Sequence, residues 1–143
     1  MRRLIPGLLV IGVLALGASA CSDNTTTPTT PTTPTTPGNA ITEPPFTGTL
    51  KVNGAATYSF TATSAGTITA KLESITPDAS VAIGLSIGTW TGSACQIVIA
   101  NDNATQTMAI TGAVTAASNL CVRVYDQGRL TGSVDFNVTI VHP

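Results

Sequence analysis

From residue 46 onward apolar side chains recur at every second position, and no window longer than ten residues holds a helical period. A period of two puts successive side chains on opposite faces of an extended strand, which restricts this part of the chain to half-buried β-structure. Phe46, Gly48, Leu50 and Val52 alternate with Thr47, Thr49 and Lys51; Tyr58, Phe60 and Ala62 with Thr57, Ser59 and Thr61; and Ile68, Ala70 and Leu72 with Thr67, Thr69, Lys71 and Glu73. The pattern continues through Val81, Ile83, Leu85 and Ile87, then Ile97 and Ile99, Met108 and Ile110, Leu120, Val122 and Val124, and Val134 to Ile140. Turn-forming residues separate these runs at Asn53-Gly54, Ser64-Ala65-Gly66, Pro77-Asp78, Thr91-Gly92-Ser93, Asn101-Asp102-Asn103 and Asp126-Gln127-Gly128. About eight short strands at near-regular spacing predict an all-β fold, a single antiparallel β-sandwich of jelly-roll-like form over residues 46–143. Roughly a hundred residues suffice for one core and not for two.

The first 45 residues have a different composition. Arg2 and Arg3 precede an apolar stretch from Leu4 to Leu16, and Gly17 to Ala20 are small, so residues 1–20 read as a secretory signal peptide. The stretch is shorter than the roughly 20 apolar residues a spanning helix needs. Ala18-Ser19-Ala20-Cys21 resembles the lipobox of bacterial lipoproteins, with Ala18 where leucine is commonest. The resemblance implies cleavage before Cys21, acylation of its thiol, and a protein anchored by lipid to a membrane of the bacterial cell envelope, facing the periplasm or the cell surface. Ala18-Ser19-Ala20 also fits the pattern of ordinary signal peptidase, which would release a soluble protein. Residues 21–45 then form a linker whose Thr-Thr-Pro repeat ends at Pro37. Proline favours polyproline II there, and fifteen such residues reach roughly 45 Å, enough to clear a headgroup layer. The tract reads as a plain spacer, with a glycosylated threonine stalk as the alternative.

An exported chain with three cysteines leaves an odd thiol. Acylation of Cys21 removes it, and Cys95 and Cys121 then form an even pair able to bridge in an oxidising compartment. Parity opposes this: Cys95 goes with Ile97 and Ile99, expected inward, whereas Cys121 goes with Arg123 and Tyr125, expected outward. A bridge therefore places Cys95 in the turn before its strand, where alternation does not bind it; two buried free thiols are the competing arrangement.

The chemistry is sparse. One histidine, His142, stands beside Pro143 at what reads as a frayed end, a poor platform for a positioned base. Glu73, Asp78, Asp102, Asp126 and Asp135 are scattered one per strand or turn, without acid–base or EF-hand spacing. No catalytic residue and no cofactor are therefore expected. Asp102, flanked by Asn101 and Asn103, would with Asp126 make a weak calcium site; the competing reading is an Asx-rich turn bonded to its own backbone. Trp90 and Tyr125 each end a strand, and as an exposed pair they would stack on a sugar ring; the competing reading has Trp90 closing the core. Beyond the signal region four cations, Lys51, Lys71, Arg123 and Arg129, face seven acids, which disfavours nucleic acid as a partner.

Tyr58-Ser59-Phe60, Ala65-Gly66-Thr67-Ile68, Leu120-Cys121-Val122-Arg123-Val124-Tyr125 and Phe136-Asn137-Val138-Thr139-Ile140 together resemble the bacterial pre-peptidase C-terminal domain. The likeness covers about 85 residues and implies a jelly-roll-like sandwich. The family's acidic strand is represented only by Pro77-Asp78-Ala79-Ser80-Val81, with one carboxylate. Three roles are compatible with these features. The first is a non-catalytic, lipid-anchored envelope or cell-surface protein that interacts with an envelope polymer or protein partner. The second is a carbohydrate- or calcium-dependent binding module, and the third, implied by the resemblance, an accessory or inhibitory domain for a secreted peptidase.

Overall fold

The computed structural model describes residues 39–143; the signal segment, Cys21 and the Thr-Thr-Pro tract lie outside the described residues. Nine strands follow in chain order: β1 (Ile41–Thr42), β2 (Phe46–Leu50), β3 (Ala55–Ala62), β4 (Gly66–Thr76), β5 (Ile83–Trp90), β6 (Cys95–Ala104), β7 (Ala109–Val114), β8 (Ser118–Tyr125) and β9 (Val134–His142). All pairings are antiparallel. One sheet has the order β1–β9–β4–β7, with β2 also beside β9; the other has the order β3–β8–β5–β6. Successive strands from β2 to β5 change sheets, which is the jelly-roll way of closing two sheets over one core.

The core is built from the expected alternation. Val134, Phe136, Val138 and Ile140 of β9 face Phe60, Leu85, Ile87, Val122 and Val124 of the opposite sheet, all buried. In β4 the register skips a residue between Leu72 and Ser74, a bulge at Glu73. The extra residue reverses parity, so Ile75 enters the core where uninterrupted alternation would have placed Ser74.

Several apolar positions leave the expected pattern. Val52 is 44 % exposed because the chain has already turned at Lys51–Gly54, where Asn53 has a positive φ. Ile97 and Met108 are also exposed, at the border between the sheets where β6 and β7 are edge strands. Asn101-Asp102-Asn103 is not a turn: β6 runs through it to Ala104, and the reversal follows at Thr105–Met108.

His142 is no frayed end. It lies in β9, is 2 % exposed, and pairs with Ile41 of β1. Its Nε2 is 2.9 Å from Glu43 Oε1, and the Tyr58 hydroxyl donates to Glu43 Oε2 at 2.8 Å. Glu43 thus ties the entry of the domain to both sheets, ahead of residue 46. Hydrogen bonds from His142 and then Tyr58 hold its carboxyl below the usual glutamate range.

Candidate functional site

Directly opposed residues in neighbouring strands share a face, so the registers define the outward surface of the β3–β8–β5–β6 sheet row by row. Tyr125 lies between Ala55 and Gly84, Arg123 between Thr57 and Ser86, and Cys121 between Ser59 and Gly88. Large side chains from β8 are flanked by small ones on both sides. Strand β5 is consequently buried from Ile83 through Gly88, on its outward as well as its inward positions. A Cβ on Gly84 would sit 2.3 Å from the Tyr125 ring, and one on Gly88 would sit 2.1 Å from the Gln96 carbonyl oxygen. Glycine is needed at Gly88 because the backbone of β6 passes over it.

That crossing resolves the cysteine parity. The β5–β6 register pairs Ile87 with Ile99 but Gly88 with Ile97, leaving Val98 as the extra residue of a bulge. Beyond it, Ile97 and Cys95 share the outward face with Gly88 and Trp90. Cys95 meets Cys121 there in a disulfide with a Cα–Cα distance of 5.8 Å. Cys95 is therefore the first paired residue of β6, opposite Trp90, and not a turn residue as parity had suggested.

Trp90 and Tyr125 do not form a side-by-side aromatic platform. Tyr125 is opposite Gly84, at the other end of β5 from Trp90, a backbone separation of about 20 Å at the usual strand rise. Its ring covers Gly84 and its hydroxyl donates to the Asp102 carboxylate. Burial first, and then this hydrogen bond, raise the Tyr125 hydroxyl pKa, while the same bond is the main cause of a lowered Asp102 carboxyl pKa. Arg123 stands between the two aromatics. Its guanidinium carbon is 5.6 Å from the centre of the Tyr125 ring, a cation–π distance. Arg123 and Trp90 also line one groove of about 340 Å³, together with Ala55 and Thr57 from β3 and Ser93, Ala94 and Cys95 from the β5–β6 hairpin. Among the described residues no carboxylate lies within ion-pairing distance of Arg123. Arg129, by contrast, is engaged by the Asp102 carbonyl and the Asn103 side chain.

The oxygens proposed for calcium are committed elsewhere. Asp102 accepts from Tyr125, and Asn101 accepts from the Asn103 amide at 2.9 Å. Asp126 accepts from the amides of Asn53, Arg129 and Leu130 at 2.8, 2.9 and 3.2 Å. Desolvation raises the Asp126 carboxyl pKa, but these backbone donors outweigh it and the net direction is down. The carboxylate organises the loop that brings Leu130 into the core. Among the described residues no three His, Cys, Asp or Glu side chains gather as a metal-ligand group.

Sequence reasoning singled out Trp90 but not Arg123. The available signal was a lone cation between Val122 and Val124, on the outward parity of its strand. Chemically, the groove offers a flat indole, a guanidinium and the short hydroxyls of Thr57 and Ser93, groups suited to holding a polar ring or an anion. Two smaller concavities accompany it: one of about 200 Å³ beside Pro77, Arg129 and Val134, and an apolar crevice of about 120 Å³ between β6 and β7. No family model matches the chain, and no curated protein matches it in sequence.

Proposed function

We propose that this protein is a non-catalytic binding module, displayed at the bacterial cell envelope on a lipid-anchored Thr/Pro tether, whose working surface is the outward face of the β3–β8–β5–β6 sheet. The observation that carries this reading is the groove that sets Trp90 and Arg123, which has no ion-pair partner among the described residues, beside the disulfide-fixed β5–β6 hairpin. A recognition surface needs large side chains on a rigid support, and the covered strand β5 supplies that support. The groove side chains include no nucleophile paired with a base. His142, the domain's histidine, is held by Glu43 away from the groove lining. The tether fits the role, because many anchored copies convert weak individual contacts into firm attachment.

Fractionation tests the display half of the reading. Wild-type protein is expected in the membrane fraction with a modified N-terminal Cys21, and Cys21→Ser is expected in the soluble fraction. An unmodified, soluble wild-type protein would refute the anchor. Retention of envelope polymer by the wild type, lost in Trp90→Ala, tests the binding half.

A further inference from the structure

We infer that the groove between Trp90 and Arg123 is a subsite for a carboxylated sugar, such as a uronate residue within an acidic polysaccharide; this deepens the binding-module reading and rests on it. The groove lies on the outward face of the sheet and reaches its edge strand β3. Its lining residues Ala55, Thr57 and Arg123 share the outward rows of the register, so their side chains, and not the free edge of β3, meet a ligand seated there. A ligand must be held by side chains. Trp90 supplies an apolar plane of the kind that packs against the C–H face of a pyranose ring, and Thr57 and Ser93 are short hydroxyls that exchange hydrogen bonds with ring hydroxyls. Arg123 supplies the charge. Its fork of N–H donors matches a carboxylate in a bidentate way, and its stacking on Tyr125 orders the guanidinium before any ligand arrives. Tyr125 is itself anchored through Asp102, so the cation rests on a fixed support. The volume of about 340 Å³ is at the small end of ligand sites and suits one or two sugar rings. The net charge of the sequence is −1, so attraction of an anion to this groove is a local effect of Arg123 and not of the molecule as a whole.

Trp90 is the single tryptophan of the chain, so its fluorescence reports occupancy of this groove alone. The experiment titrates detergent-solubilised full-length protein with tri- to hexagalacturonate and with neutral galactose oligomers of the same length. The expected result is a saturable change in tryptophan emission with galacturonate, at least tenfold weaker binding of the neutral oligomers, and weakening of galacturonate binding in high salt. Arg123→Gln, which keeps most of the stem packing, is expected to weaken galacturonate binding at least tenfold. Trp90→Phe should weaken it less, read by calorimetry, and Thr67→Ala on the opposite sheet should leave it unchanged. Thermal unfolding of each variant confirms that the fold persists. Equal binding of charged and neutral oligomers, or full binding by a folded Arg123→Gln, would overturn the carboxylate assignment while leaving a binding module in place. A response to phosphate-bearing envelope polymer with none to galacturonate would likewise overturn it. Loss of envelope-polymer retention altogether would strike the broader reading instead.

Discussion

The two outward faces of the sandwich start from the same alternation and finish differently. On the β9–β4–β7 face the polar side chains interact locally: Thr49 donates to Asp135 directly across the ladder at 2.6 Å, and Lys71 meets Glu73 on its own strand at 2.8 Å. The first is solvent-exposed and the second partly so, and such pairs add little to stability. The β3–β8–β5–β6 face has one such local contact, Thr61 donating to Asn119 at 3.0 Å, but it also has contacts that reach over intervening strands. Tyr125 crosses β5 to Asp102, and the disulfide joins β8 to β6 above Gly88. Columns of Gly and Ser beneath long side chains convert a plain outward surface into a second packed layer with a groove at its margin. The lesson is that the residues of least bulk, Gly84, Ser86 and Gly88, decide which face can carry a site.

This contrast can be broken most forcefully at the disulfide. Replacing Cys95 and Cys121 together by alanine should lower unfolding free energy by about 3 to 4 kcal/mol, the loop-closure value for a span of this size. Urea midpoints measure it, and non-reducing peptide mapping of the wild type should recover the two cysteines as one linked peptide. Recovery of both as free thiols would remove the staple from the comparison. Next is Gly88→Ala, where the new Cβ meets backbone and not a movable side-chain tip; a loss of about 3 kcal/mol is expected, against about 0.5 kcal/mol or less for Thr67→Ala on the other face. Similar losses from both substitutions would show that the two faces are equally tolerant.

A third comparison lies at the seam between the sheets, where Glu43 joins His142 to Tyr58. Glu43→Gln should cost about 1 to 2 kcal/mol at neutral pH, as a charge-assisted pair of hydrogen bonds is weakened. Because the folded-state carboxyl pKa is depressed, this contribution is fully present above the unfolded glutamate value near ~4.3 and is lost as pH falls through the lower folded value. The gap between wild type and variant in thermal unfolding should therefore close on acidification through that range. The smallest effect is expected on the plain face. Glu73→Gln breaks the partly exposed pair with Lys71, and no measurable shift of the unfolding curve should follow.

Much of the fold was legible because burial imposes a strict period on a strand with one wet face. The eight longer strands, the inward sets of β8 and β9, and one core for one domain follow from that alternation. The places where legibility failed share a cause. At Glu73 and Val98 a single extra residue reverses which side chains point inward, and a bulge leaves almost no local signature in composition. The short strand β1 was unreadable because two residues carry no periodicity; its pairing with β9 appears only when Glu43 meets His142. Of the site, Trp90 was visible as a lone large aromatic. Its supposed partner Tyr125 was not in reach, since strand-end residues are neighbours only if their strands run to the same end of the sheet.

The alternation of apolar and polar residues by itself determined an all-β sandwich, because a chain this poor in helical periodicity has no other way to bury its Ile, Leu, Val and Phe side chains while pairing its backbone. The cysteine count likewise singled out Cys95 and Cys121 as the pair open to bridging under the proposal that Cys21 is acylated. Tertiary structure alone decided which outward face acquired relief. The bulge that carries Cys95 over Gly88, the lean of Tyr125 across Gly84 and the placing of Arg123 beside Trp90 all depend on register between strands distant in sequence. Register is a property of paired strands, set by hydrogen bonds and close packing between them, and no single strand encodes it.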